Sequence, residues 1–293
     1  MPPLTFFDTL KRLSSNLNIH IYVIDSSPEV TSIKTQNYIN RSINNNLNHL
    51  FSKGHSRPLI KYFKVPNYGI GHKHNFGIKQ AIKDGCDLMT TFTDDVKLLD
   101  NRFPIEEIYR FFCNNCDPHK DVLILPYDRA QLQKEIKRAG DLGMTFTKEL
   151  FQKVRFREEL ILDNTDYYFC DQVILKGGKF IVYPEILIGT LPIGREAKFP
   201  MWRLYLLTRN SFSISLESNG KFGKLSRLLT HTFPRTLQLI MWNLQVVRSA
   251  QDILDVLEAI FLGYIDGIQR KLGVTSNLQK LSGNRFSNRA RAC

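Results

Sequence analysis

Residues Pro66–Leu99, PNYGIGHKHNFGIKQAIKDGCDLMTTFTDDVKLL, run from a glycine-rich turn into a helix and then a short apolar strand that ends beside two adjacent carboxylates. The two ends of this segment are suited to different chemistry. Gly69 and Gly71 let backbone approach a ligand closely, and Asn75, Gly77 and Ile78 open a helix over 73–84 whose N-terminus favours anions. The strand Leu88–Thr93 delivers Asp94 and Asp95 at its carboxyl end, where ligands of open α/β sheets sit. Adjacent carboxylates at such a point suit a hard divalent cation, Mg or Mn, whose remaining positions go to phosphate oxygens.

The flanking sequence extends the same pattern. Leu4, Phe7, Leu10, Leu13 and Leu17 recur at helical spacing, Ile19–Ile24 is a β-rich run closed by the loop signal Asp25-Ser26-Ser27-Pro28, and the Asn-rich stretch 36–50 reads as a polar helix. Strands are expected at Leu59–Val65, Asp121–Leu125, Gly140–Phe146 and Phe180–Tyr183, and helices at Pro104–Cys113, Lys148–Val154 and Leu162–Lys176. Gly177-Gly178 stops the last helix. Strands alternating with helices predict an α/β sheet of mainly parallel strands. After Pro192 the pattern changes to amphipathic helices. One carries Leu237, Ile240, Met241, Leu244 and Val247, and a second carries Ile253, Val256, Leu257, Ile260, Phe261, Tyr264, Ile265 and Ile268. Core packing is the default reading of such stripes, and an anionic membrane surface is the alternative for the first, which holds Trp242 between basic flanks.

Charge favours an anionic partner. The net charge is +12, and between Glu196 and Asp252 Glu217 is the single acid among Lys198, Arg203, Arg209, Lys221, Lys224, Arg227, Arg235 and Arg248. Such a face serves nucleic acid, an anionic membrane or a phosphorylated substrate. No nucleic-acid motif accompanies it, which argues against nucleic acid. No apolar run is long enough to span a bilayer, and the N-terminus lacks the pattern of a signal peptide. Five scattered cysteines, with Cys113 and Cys116 as an isolated CxxC, read as thiols of a reduced cytoplasmic protein.

Two further carboxylate positions carry chemistry. Asp25 ends the first strand, where it can accept from ribose hydroxyls or the N–H of a base. Asp163 and Asp166 stand three apart at a helix start, on one face of its first turn. Such residues are commonly caps, but a carboxylate at a sheet's ligand edge can also deprotonate an acceptor hydroxyl.

Taken in chain order, VIDSSPE (23–29), NYGIGHKHNFGI (67–78), TFTDDV (91–96), AGDLGMTFTKELFQKV (139–154) and DNTDYYFCDQVILKGGKFIVYPEILI (163–188) resemble the family 2 glycosyltransferases, and most of all their rhamnosyltransferase-like branch. RLYLLTRN (203–210) is similar to a segment that follows the catalytic domain in that branch. The resemblance covers residues 19–210. It implies a Rossmann-like nucleotide-diphospho-sugar transferase fold over 1–192, followed by a basic, helical region over 193–293. The implied activity is inverting transfer of a sugar from a nucleotide-diphosphate donor to a hydroxyl of a lipid-linked glycan in bacterial surface polysaccharide synthesis. The implied location is the inner face of the cytoplasmic membrane.

The resemblance also assigns residues. Asp25 contacts the pyrimidine or ribose; Asn67, Gly69, Gly71 and Asn75 form the nucleotide-side turn and helix start; His74 contacts phosphate. Asp95 is the metal ligand, Asp94 is its neighbour on the nucleotide-sugar side, and Asp166 is the catalytic base. Three departures accompany these matches. Thr93 replaces the first carboxylate of the metal triplet, ILIGTLPIG lacks the family's His, and the chain starts at its first helix, as an N-terminally shortened member would. They point to an alternative: a catalytically impaired glycosyltransferase-like protein that serves as a nucleotide-binding or assembly partner.

Overall fold

The computed structural model describes residues 17–38, 59–93, 96–98, 104–126, 136, 140, 143–190, 200–217, 220–246 and 249–282. The expected helix over 4–16, most of the Asn-rich stretch, and Asp94 and Asp95 lie outside the described residues. The chain divides into two compact units. One comprises Met1–Pro66, Lys73–Arg155 and Phe169–Leu191, and the other comprises Asn67–His72, Phe156–Tyr168 and Pro192–Cys293.

In the first unit, β1 (His20–Asp25) pairs in parallel with β2 (Leu59–Lys64), setting Val23 opposite Tyr62 and Asp25 opposite Lys64. Helix α1 (Glu29–Tyr38) follows β1, and α2 (Ile70–Lys83) follows β2. A four-stranded sheet has the order β3 (Leu88–Thr91), β6 (Met144–Thr147), β5 (Val122–Ile124), β7 (Phe180–Val182). A separate antiparallel pair joins β4 (Val96–Leu98) to β8 (Ile188–Thr190), with Val96 opposite Thr190.

The expectation of a mainly parallel sheet is corrected here. β6 runs antiparallel to both β3 and β5, while β5 and β7 are parallel. Three of the four strands therefore share one direction, and β6 is reversed between them. A strand–helix alternation fixes direction only where the helix returns the chain across the sheet. Helix α3 (Ile105–Asn115) lies in sequence between β3 and β5, and α5 (Thr165–Leu175) precedes β7; β6 instead leads straight into α4 (Lys148–Lys153). Thr147 makes that junction, accepting the Leu150 N–H at 3.2 Å as the N-cap. Within the sheet the hydroxyls of Thr90 and Thr145 pair across β3 and β6 at 2.8 Å, which satisfies both polar groups inside.

The core of this unit follows from the apolar strands. Val122, Leu123, Ile124, Met144 and Phe146 are buried, and Ile108 and Phe112 from α3 pack with Leu123, Leu125, Tyr183 and Ile188. Phe146 also meets Phe151 and Phe169 at ring-centroid distances of 6.4 and 5.3 Å. Cys86, Cys113, Cys116 and Cys170 are not in disulfides, and burial pushes the Cys116 thiol up to about 12.

The second unit is helical. α6 (Met201–Leu216), α7 (Gly220–Arg227), α8 (Phe233–Val246), α9 (Ala250–Ile268) and α10 (Ser276–Ser282) surround a core of Leu204, Tyr205, Leu206, Leu207, Val256, Ala259, Ile260 and Leu278, with Ile161 included. Gly263 and Gly267, one turn apart, face the backbone of α6. A Cβ on them would lie 2.7 Å from Tyr205 O and 2.8 Å from Arg209 O, so both positions require glycine for the helices to come this close. A π-turn at Leu228–Thr232 links α7 to α8. Pro234 supplies its cause: the proline has no N–H and its ring crowds the carbonyl four residues back, so the turn widens.

The two apolar stripes behave differently from plain core helices. Val256, Ala259 and Ile260 of α9 are buried, but Leu254, Leu257, Phe261 and Ile268 are exposed. Leu225, Leu229, Phe233, Leu237 and Met241 also form an exposed row at steps of four through α7 and α8.

Candidate functional site

Asp25, His74 and Asn75 belong to the first unit, while Asn67, Gly69, Gly71 and Asp166 belong to the second. Each group is built from its own surroundings.

Asp25 is the last residue of β1 and is buried. Its Oδ1 accepts the Ser27 N–H at 2.7 Å, and its Oδ2 accepts the hydroxyls of Ser32 and Tyr62, both at 2.6 Å. Burial by itself would raise the carboxyl, but the hydrogen bonds from Ser32, Tyr62 and Ser27 outweigh it and hold the group at about 2. Lys64, opposite Asp25 in the ladder, donates to Ser32 Oγ at 2.5 Å and to the Ser27 carbonyl. An ionised carboxylate has about four lone-pair positions, of which these donors take three. Ser32, Tyr62 and Lys64 were not singled out from the sequence. The usable signal was the i, i+2 spacing of Tyr62 and Lys64 on one strand face, but it means nothing until the pairing with β1 is known.

The helix after the glycine turn starts earlier than the sequence suggested. α2 begins at Ile70, so Asn75 lies in its second turn, buried at 3% exposure, and His74 beside it is partly buried. The leading amide of α2 is occupied within the protein: Ile70 N–H donates to Ile161 O at 2.6 Å. Gly69 has φ +104°, and a Cβ there would lie 2.2 Å from that same oxygen; one at Gly71 would lie 2.8 Å from Thr165 Cγ2 and 3.0 Å from Arg157 O. The close approach that these glycines permit is therefore to the segment 157–165. His72, from the same turn, pairs its Nδ1 with Glu158 Oε2 at 3.0 Å and packs edge-on against Tyr68.

That segment leads to Asp166, the second residue of α5, which is partly buried and accepts the Tyr167 N–H on Oδ1 at 2.9 Å. Because α5 starts at Thr165, Asp163 does not share the helix's first turn with Asp166, as its spacing had suggested. It lies before the helix in a left-handed conformation, with φ +57°. Asn164 also has positive φ, +61°, and Ile161 at φ +65°, ψ −65° forms a γ-turn closed by the Leu162 N–H on Leu160 O at 2.8 Å. For residues with a Cβ, and for β-branched Ile161 above all, such conformations cost about 1–3 kcal/mol each and persist only where surrounding groups hold them.

Helix α6 supplies those groups. Asn210 Nδ2 donates to the carbonyls of Leu160, Leu162 and Asp163 at 2.8, 2.7 and 3.0 Å. Arg203 grips Asp163 through Nε and Nη2 at 3.3 and 3.1 Å, and Asn164 donates to Ser211 Oγ at 3.1 Å. Arg209 is fully buried. It reaches Gly273 O at 2.7 Å and the carbonyls of Glu159 and Leu160 at 3.4 Å, and its carbon centre lies 5.5 Å from the Tyr205 ring. Burial pushes this guanidinium below its ordinary value. Arg157 binds both oxygens of Glu217, at 2.7 and 2.6 Å, so the single acid of the basic stretch is paired. The Thr165 hydroxyl is buried without a hydrogen-bond partner among the described residues. Sequence reading noted RLYLLTRN only as a weak likeness. Its role comes from contacts some 40 to 50 residues away in the chain, which no local spacing encodes.

Among the described residues no group of three or more His, Cys, Asp or Glu is arranged to hold a metal ion. The carboxylates assigned to that task, Asp94 and Asp95, lie outside the described residues. No described helix is long and apolar enough to cross a membrane.

No family model matches the chain, and no curated protein matches it. Solved structures do. A mannosyltransferase from Pyrobaculum calidifontis, in complex with GDP-Man and Mn2+, is similar over 92% of this chain and 95% of its own, with 9% identity and a TM-score of 0.49. The protein A197 from STIV is similar over 60% of this chain and 86% of its own, with 10% identity and a TM-score of 0.36.

Proposed function

We propose that the chain is an inverting glycosyltransferase that moves a sugar from a nucleotide-diphosphate donor to a hydroxyl of a lipid-linked glycan. One observation carries this reading. Three of the four residues before the helix have positive φ, and the second residue of that helix, Asp166, is the one that the family resemblance makes the catalytic base. Strain maintained beside one carboxylate is what a site that must fix that carboxylate's direction requires. Asp166 takes the proton of the acceptor hydroxyl as that oxygen attacks the anomeric carbon, the nucleoside diphosphate leaves from the opposite face, and the configuration inverts.

Asp25 supports the donor half. Its carboxylate stays ionised under burial, and its remaining lone-pair position suits a ribose hydroxyl or a base N–H. His74 and Asn75, in the same unit, with Asn67 and Asp94, complete the nucleotide-sugar assignment that the resemblance makes, whereas Gly69 and Gly71 give their close approach to the segment 157–165 rather than to a ligand. Asp95 would hold a divalent cation, which would offset charge on the leaving diphosphate. The acceptor is delivered at an anionic membrane, reached through the row Leu225, Leu229, Phe233, Leu237 and Met241; no Asp or Glu lies between Glu217 and Asp252.

Thr93 in place of a metal-site carboxylate favours a second reading, a nucleotide-binding partner without turnover. The deciding experiment offers UDP-glucose, dTDP-rhamnose and GDP-mannose with a bacterial lipid extract, following sugar entry into lipid and, by calorimetry, UDP, dTDP and GDP binding. Transfer supports the enzyme, and binding without transfer supports the partner. Neither binding nor transfer overturns both.

A further inference from the structure

The loop Ile161–Asn164, with positive φ at Ile161, Asp163 and Asn164, has no ladder of its own to hold it, and α6 reaches it at three points. Arg203 and Asn210 stand seven residues apart, two turns along one face of α6, with Ser211 beside the second. The amide of Asn210 carries two hydrogens, yet three carbonyls of the loop converge on it within 3.0 Å. The orientation of that amide is itself determined, because Arg209 Nε donates to Asn210 Oδ1 at 3.1 Å and so leaves the NH2 end facing the loop. Arg209 and Asn210 are both fully buried, so solvent cannot replace these bonds.

We propose that Asn210 and Arg203 are positioning residues for Asp166: they hold the loop Leu160–Asn164 in its positive-φ turns and so set the direction of the first turn of α5. The inference rests on the reading of Asp166 as the base. Without the amide, the positive-φ residues relax toward ordinary backbone conformations, and the single residue between Asn164 and Asp166, Thr165, cannot absorb the change. Arg203 acts at the next carboxylate along, keeping Asp163 turned back onto α6. Ile70 N–H, bonded to Ile161 O, closes the loop from the other side.

Two variants test this, Asn210→Ala and, on partly exposed ground, Arg203→Lys, which replaces the two-nitrogen grip on Asp163 with a single donor nitrogen. Backbone amide exchange over 160–168 is read first, because it needs no donor sugar. It is expected to speed up by about tenfold or more in each folded variant, with the amides of α9 unchanged. Sugar transfer from the donor that the screen identifies is then expected to lose about a hundredfold in kcat in Asn210→Ala, less in Arg203→Lys, with the donor's KM within about twofold. Exchange over 160–168 that stays at the wild-type rate overturns the proposal. So does a donor KM that rises while kcat holds. If Asn210→Ala does not fold, Arg203→Lys decides alone. Full transfer by Asp166→Asn removes the base assignment instead, whatever the exchange shows, so the two failures are distinct.

Discussion

Asp25 keeps its charge in a buried place because three donors solvate it in water's stead. The sign of its effect on stability follows from its low folded value of about 2. The unfolded carboxyl titrates about two pH units higher, so the stabilisation, about 2 kcal/mol, is complete above pH ~4 and is lost as pH falls through ~2. Asp25→Asn is expected to unfold about 2 kcal/mol more readily at pH 7, with the gap from wild type closing between pH ~4 and ~2; denaturant titrations across that range check it. A gap that stays constant with pH contradicts the ionised carboxylate. Gly69 gives a second test at this scale. Gly69→Ala brings a Cβ within 2.2 Å of Ile161 O, whereas Gly85→Ala, also left-handed at φ +84°, meets nothing within 4 Å. The first is expected to cost about 3 kcal/mol or more and the second about 1, as read by thermal unfolding. The sequence made both positions visible as glycines; it did not show that the first is crowded by protein.

At the scale of elements, most strands and helices of the first unit were legible because their apolar runs are short and punctuated by Gly, Pro, Asp and Asn, but α1, β4 and β8 were not among the expected elements. The start of α2 was missed by three residues, since Gly69 and Gly71 resemble a loop until Ile161 O and Arg157 O are seen against them. The clamp of α6 on the loop before Asp166 was not legible at all, because Arg209 counted only toward a basic face, Asn210 was not singled out, and both are buried. The α8 stripe remained open between core and surface until its exposure was known: Leu237 is 61% exposed and Met241 54%, and they continue the exposed row from Leu225, Leu229 and Phe233. Wild-type protein is expected to sediment with phosphatidylglycerol vesicles and not with phosphatidylcholine vesicles. Leu229→Ser with Leu237→Ser is expected to weaken that by about tenfold or more. Equal binding by the double variant contradicts the assignment of this row.

Across the whole molecule, the α/β class follows from the alternation of strands and helices, but the direction of β6 does not. Sheet direction depends on where the chain enters the sheet, and β6 enters between β3 and β5 against both neighbours. The functional argument has a similar limit. Chain order alone suggested carboxylates for a donor and an acceptor, and the structure added what maintains two of them: hydrogen bonds that keep Asp25 charged and a strained, clamped loop ahead of Asp166. The central claim is that Asp166 is the base of a sugar transfer, and its most direct test is the transfer rate of Asp166→Asn. The account predicts a loss of about a thousandfold in kcat with donor binding retained; transfer within twofold of wild type would contradict it.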